Sequence, residues 1–242
     1  MNVGIINIGD ELLTGKKDPY PAEMIEAVRS KGADVAFIQV ITDDIDVIVK
    51  ALAYSQNADV DILIVTGGLG PTLDDLTREA VAEYMGTELE IDEKSLDELE
   101  RFMKRIHPEK ELEEISKRMA RVPRGAEAVH NVCGAACGIK AQIKNMTVFC
   151  LPGFPNEMIP MFYESILPVI SGNDEISEEL TIFINESDVD PYMRQISEKY
   201  NVRVASLPSL DYKKIGNKVV IKGKKENVML ARKEFENCIN SL

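Results

Sequence analysis

The run TGGLGPTLDDLT, from Thr66 to Thr77, holds three glycines within four residues and then two adjacent acids. Glycines at this density let backbone amides face an anion without interference from Cβ, and a helix starting just beyond adds its positive amino end, so the run reads as a phosphate cradle. Asp74 and Asp75 alone would repel a phosphate. A divalent cation shared between carboxylate and phosphate oxygens removes that conflict, which makes Mg²⁺, Mn²⁺ or Co²⁺ part of the expectation. The plainer reading gives one of the two acids to capping a helix over residues 76–85. Two better-known glycine motifs fail on spacing. No Gly-Lys-Ser/Thr closes the run, and the third glycine of a dinucleotide fingerprint would fall at Leu73. The stretch from Gly9 to Lys16 has one residue too many between its glycines for a P-loop, and Lys17 stands where that loop needs a hydroxyl.

Similar residues recur elsewhere: Gly9-Asp10-Glu11, Asp43-Asp44, and Pro152-Gly153-Phe154-Pro155-Asn156-Glu157. Each follows a short run rich in Val and Ile. The runs at 2–8, 34–41, 61–66 and 147–151 are nearly all apolar, as expected of parallel strands covered on both faces. Residues 21–31, 46–56 and 75–85 carry apolar side chains at helical spacing. Strand and helix in alternation predict a doubly wound α/β sheet, and such sheets bind ligands at the carboxyl edge of their strands. The four turns are therefore expected to converge on one crevice. Residues 92–121 read as a charged helical surface excursion divided by Pro108. A second unit is expected from about Gly172, after a linker-like SGNDEISEE: strand 180–184, a helix opening at Pro191, strands 203–206 and 218–222, and a last helix through Ile239.

The chain has 242 residues with 45% hydrophobic and 29% charged side chains, ordinary values for a soluble globular protein. No apolar run reaches the ~18 residues of a membrane span, and no secretory signal opens the chain, so a cytoplasmic protein without a membrane partner is expected. The net charge is −13, nearly all of it from residues 1–170, which argues against a nucleic-acid partner and suits cation binding. Cys133, Cys137, Cys150 and Cys238 form no CxxC pair and read as reduced thiols. His130, Cys133 and Cys137 lack the spacing and the fourth ligand of a zinc site.

GDELL at Gly9, VTGGLGPTLDDLTRE at Val65, RVPRGAEAVHN at Arg121 and LPGFPNEM at Leu151 occur in that order. With these motifs, residues 1–170 resemble the amino-terminal part of the CinA family, which belongs to the MoaB/Mog molybdopterin-binding superfamily. The resemblance implies a three-layer α/β/α domain over residues 1–171, a small KH-like α/β module over 172–242, no carboxyl-terminal amidase domain, and a homo-oligomer. Some relatives hydrolyse ADP-ribose or FAD with a divalent metal, and the Mog branch transfers adenylate to molybdopterin. By motif, the implied ligand site comprises Gly9, Thr66, Gly67, Gly68, Gly70, Pro152, Gly153 and Glu157. The implied metal-holding acids are Asp10, Glu11, Asp43 and Asp75, with Asp43 and Asp75 also catalytic. Two departures stand out: Pro21 where the family has the asparagine of DTN, and Gly134-Ala135-Ala136-Cys137-Gly138-Ile139 where it has GTAPGF.

The expected activity is metal-dependent hydrolysis of a nucleotide diphosphate-linked substrate of the ADP-ribose or FAD class. The rival is a molybdopterin-binding or adenylyl-transferring protein. A third reading, nucleic-acid binding through Lys218, Lys222, Lys224 and Lys225, fails for want of a GxxG loop after Gly172, and these lysines read as a solvated edge strand.

Overall fold

A computed structural model describes residues 1–15, 22–172 and 175–239. The Pro21 departure lies outside the described residues. The chain divides into two units, residues 1–171 and 172–242.

In the first unit the chain runs β1 (Asn2–Ile8), α1 (Asp10–Leu13), α2 (Ala22–Ser30), β2 (Asp34–Ile41), α3 (Ile45–Asn57), β3 (Ile62–Thr66) and α4 (Thr77–Met85). It continues with β4 (Leu89–Ile91), α5 (Glu93–Ile106), a 3₁₀ segment (Glu114–Ala120), β5 (Arg121–Pro123), β6 (Glu127–Val129), β7 (Gly138–Ile143), β8 (Met146–Leu151) and α6 (Pro155–Met161). Six strands form one sheet in the order β2-β1-β3-β8-β7-β6. The first four are parallel, and β7 and β6 extend the sheet antiparallel.

Side chains alternate across a strand, so β3 sends Leu63 and Val65 to one face and Ile62 and Ile64 to the other. On the first face they meet Ile48 and Leu52 of α3, Val81 of α4 and Leu99 of α5. On the second they meet Met24 and Val28 of α2 and Met158 and Met161 of α6. The result is the three-layer α/β/α arrangement, in which each fully buried Leu, Ile or Met contributes ~1.5–3 kcal/mol. Residues 92–121 are not a single divided helix. Asp92 caps α5 by accepting the Ser95 amide at 2.8 Å, and after the 3₁₀ segment β5 pairs with β4 as a small separate sheet.

The second unit runs β9 (Glu175–Ile182), α7 (Glu186–Tyr200), β10 (Arg203–Leu207), α8 (Tyr212–Ile215), β11 (Asn217–Lys224) and α9 (Lys225–Ile239). Its antiparallel sheet has the order β10-β11-β9, and Leu180, Ile182, Val189, Ile196, Val219, Ile221 and Phe235 make its core. Three expectations change here. EISEE belongs to a strand, because Ile176, Leu180 and Ile182 alternate inward between outward polar residues. The helix opens at Glu186 and carries Pro191 inside, held by buried Val189, Met193 and Ile196. The lysine-bearing strand is the central one, with Lys218 paired to Glu179 of β9 at 2.8 Å.

Candidate functional site

The turns after β1, β2, β3 and β8 do converge. Together with Met119, Ala135 and Ala136 they line a cavity of about 650 Å³. Its carboxylates are Glu11, Asp43, Asp74, Asp75 and Glu157, and no Lys, Arg or His lines it among the described residues. Gly9, Gly67, Gly68, Gly70, Pro152 and Gly153 line it as expected from the motifs. Thr66 and Asp10 do not. The buried Thr66 hydroxyl donates to Asn7 Oδ1 at 2.8 Å, and an Asp10 carboxylate oxygen accepts the Thr42 hydroxyl.

The glycine loop is shaped by close approach. Gly67 and Gly68 have φ of +96° and +64°, and a Cβ at Gly67 would lie 2.2 Å from the Ile8 carbonyl oxygen. Gly67 N donates to the Leu151 carbonyl at 3.0 Å, joining the loop to β8. Asp75 closes the turn: Oδ1 accepts the Gly70 amide at 2.7 Å, and Oδ2 accepts the Thr72 amide at 2.9 Å and the Thr72 hydroxyl. Neither Asp74 nor Asp75 caps α4, whose first residue instead bonds back to the loop. The Thr77 amide donates to Gly68 O at 3.1 Å and its hydroxyl to Gly67 O at 2.8 Å. The amino end of α4 thus holds the loop rather than facing the cavity. Gly68 and Leu69 are left as the glycine-run amides without a hydrogen-bond partner among the described residues.

Two arginines complete this wall, and neither was singled out from the sequence. Arg78 is only 3% exposed and donates to four carbonyls: Leu69 at 3.0 Å, Arg121 at 2.9 Å, and Met119 and Cys137 at 2.8 Å each. Burial pulls its pKa below the ordinary arginine value. Arg118 donates to the carbonyls of Thr72 at 2.9 Å and Asp75 at 3.2 Å and pairs with Glu79 at 2.9 Å. The available signal for Arg78 was its place on the helical face of Val81 and Ala82, where a charge has no business unless it is bonded. Asn131 was also missed. It is 8% exposed and donates to Glu157 Oε2 at 2.8 Å and Ala136 O at 2.9 Å, which fixes the Glu157 carboxylate at the cavity.

The opposite wall is less satisfied. Asp43 Oδ2 accepts the Asp10 amide at 2.9 Å, while its neighbour Asp44 caps α3 through the Val47 amide at 3.0 Å. Burial raises the Asp43 pKa above its ordinary value, and the charges of Asp10, Glu11 and Asp74 push it the same way against the Asp10 hydrogen bond.

Asp10, Glu11, Asp43 and Asp75 do not gather as one metal cage. No group of three or more His, Cys, Asp or Glu that could hold a metal ion occurs among the described residues. The reason is local, since Asp75 turns back into its own loop and Asp10 bonds Thr42. His130 bonds Glu98 at 2.6 Å, and Cys137 is buried while Cys133 is exposed. The donor set still fits a hydrated hard cation held by one or two carboxylates and shared with ligand phosphates.

A three-layer α/β domain with an acidic cavity at the carboxyl edge of its parallel strands has the doubly wound arrangement, in which that edge is the usual place for a ligand. Residues 4–172 match the family model described as a probable molybdopterin binding domain, and the chain belongs to that family. A protein of Pyrococcus abyssi is 34% identical over 242 residues, covering 97% of this chain and 95% of the relative. A CinA-like protein of Citrifermentans bemidjiense is 40% identical over 176 residues, 72% of this chain and 42% of that protein. The crystal structure of the protein CinA with unknown function from Thermoplasma acidophilum superposes with a TM-score of 0.59 at 29% identity, covering 67% of this chain and 94% of that one. No helix among the described residues is long and apolar enough to cross a membrane.

Proposed function

We propose that the protein is a metal-dependent phosphoanhydride hydrolase acting on a nucleotide diphosphate-linked substrate of the ADP-ribose or FAD class. The observation that carries this reading is a cavity at the carboxyl edge of the parallel strands, beside the glycine loop, that is lined by five carboxylates and, among the described residues, by no basic side chain. A phosphate can enter such a cavity only with a cation. When bound, Mg²⁺, Mn²⁺ or Co²⁺ supplies the charge neutralisation that phosphoryl transfer needs.

Asp43 and Glu11, the carboxylates outside the glycine loop on the less satisfied wall, hold the cation. Half-buried Asp43 would also orient the attacking water and accept its proton. The Gly68 and Leu69 amides receive the phosphate. Asp75 acts through the loop it closes, and Asn131 acts by fixing Glu157. No serine or cysteine nucleophile is required. The test is incubation of the protein with ADP-ribose, FAD, NAD and ATP and each of the three cations, with AMP release as the readout. AMP release that EDTA abolishes is expected; full turnover in excess EDTA, or none with any pair, overturns the reading.

The second reading, binding of molybdopterin or adenylyl transfer to it, draws on the description of the family to which residues 4–172 belong. It uses the same cavity, and direct titration with molybdopterin separates it from turnover.

A further inference from the structure

Phe154 is 68% exposed although it lines the cavity. Nothing in the local fold asks for an aromatic ring there. Residue 154 starts α6 through its backbone alone: its carbonyl accepts the amides of Glu157 at 3.0 Å and Met158 at 2.9 Å, and its side chain makes no cap. That backbone has little freedom, being flanked by Pro155 and lying two residues after Pro152 in an extended conformation with φ −78° and ψ 123°. Among the described residues the ring takes part in no aromatic pair and no cation–π contact. A scattered exposed apolar side chain is ordinary. An unpartnered phenyl ring held on a rigid turn at the mouth of an acidic ligand cavity is a different matter, because its free face is the surface on which a flat ligand stacks.

We propose that Phe154 is the stacking platform for a planar nitrogen heterocycle, placing the base of a phosphate-bearing ligand at the mouth while its phosphates lie toward Asp43 and Glu11. The proposal rests on the reading of the cavity as a phosphate-ester site, and it adds what that reading leaves open: recognition of the ligand's base. Phe154 is a positioning residue, which touches the base and not the reacting bond. A nucleobase and a pterin share the required chemistry, and the experiment separates them.

The chain contains no Trp, so Phe154→Trp in the full chain installs a sole tryptophan, whose emission is excited selectively over that of the tyrosines. With Mg²⁺ present, AMP or 6-hydroxymethylpterin is expected to quench its emission saturably, and ribose 5-phosphate to leave it unchanged. Whichever heterocycle quenches identifies the source. Met229→Trp, at a 52% exposed position in the second unit, controls for collisional loss. In parallel, Phe154→Ala is expected to weaken binding of the quenching heterocycle about tenfold by calorimetry, with Phe154→Tyr restoring it. On a hydrolysed substrate, Phe154→Ala should raise KM and leave kcat near the parent value. A reporter unmoved by either heterocycle at millimolar concentration, equal quenching by ribose 5-phosphate, or undiminished binding by Phe154→Ala overturns the proposal. Saturable quenching without any hydrolysis removes the hydrolase reading and leaves the platform. Hydrolysis of ADP-ribose with an unmoved reporter removes the platform and leaves the hydrolase.

Discussion

The two walls of the cavity are built on opposite principles. The wall that follows β3 is largely hydrogen-bonded: Asp75 accepts three donors, and Arg78 and Arg118 hold the loop carbonyls. On the wall that follows β1 and β2, acids crowd one another, and Asp43 is raised in pKa by burial and by like charge. A saturated hydrogen-bond network rigidifies, whereas uncompensated charge is destabilising until a ligand or ion relieves it. On the proposed function the side chains that close the glycine loop are scaffold, its Gly68 and Leu69 amides are left for the phosphate, and the Asp43 wall is where a cation gains binding free energy. Substitutions on the first wall should reduce stability, and those on the second should reduce activity.

The largest effect is expected from Arg78→Met. The methionine fills much of the volume but leaves the carbonyls of Leu69, Met119, Arg121 and Cys137 without their common donor. At ~1–3 kcal/mol for a buried unsatisfied group, the loss should reach at least ~3 kcal/mol in denaturant unfolding. A variant within 1 kcal/mol of the parent, roughly, would deny the first wall its structural role.

Asp43→Asn sharpens the comparison from the other side. The amide oxygen can still accept the Asp10 amide, so the turn is kept while the charge goes. We expect kcat to fall at least ~100-fold, equivalent to ~2.7 kcal/mol, with no loss of melting temperature. The sign follows from linkage. A carboxyl whose folded pKa is raised gives stability below its unfolded value and loses it as pH rises through the folded value. At neutral pH the ionised Asp43 is therefore a burden on the fold, and the neutral amide removes it. Unchanged turnover, or a drop in melting temperature, would place Asp43 among the structural acids.

Asp75→Asn should behave in the reverse manner. An amide offers one acceptor oxygen, so its NH₂ must face either the Gly70 or the Thr72 amide, donor against donor. A loss of ~1–3 kcal/mol of stability is expected together with lowered activity. A fully stable, inactive Asp75→Asn would instead make this carboxylate a direct participant in the chemistry.

How much of this was legible beforehand tracks where the physical signal lies. The strands at 2–8 and 34–41 coincide with β1 and β2: β1 is buried along nearly its whole length, and β2, though the half-buried edge strand, is still mostly apolar and rich in Val and Ile. Short strands such as β4 to β6 carry three residues each, one of them charged, and are too short to offer a periodicity to read. The first part of β9 was hidden, although a strand from Leu180 was expected, because Glu175, Ser177, Glu178 and Glu179 gave it a linker-like composition that masked its alternation. In the site, convergence of the four turns followed from topology alone. The division of labour between Asp43 and Asp75 did not, since it depends on amides and carbonyls that meet only after folding. Arg118 and Asn131 show the same limit: the partners of Arg118 lie 39 to 47 positions away, and the Glu157 that Asn131 holds lies 26 away.

The smallest expected effect tests the contrast between the walls without touching the ligand. If the crowding of Asp10, Glu11 and Asp43 is relieved by a cation, then Mg²⁺ or Mn²⁺ alone must bind the folded protein better than the unfolded chain. At a free concentration about five times its dissociation constant such an ion adds ~1 kcal/mol, a rise of ~2–4 °C for a unit of this size. The rise should shrink as pH falls toward the raised pKa of Asp43, because protonation removes the charge the ion neutralises. It should be reduced in Asp43→Asn at neutral pH. In Asp75→Asn the melting temperature should start lower yet respond to the ion by the same increment, because that carboxylate is engaged by its own loop. Calorimetry over a pH series in the three proteins reads all of this. An increment lost in Asp75→Asn and kept in Asp43→Asn would exchange the roles of the two walls.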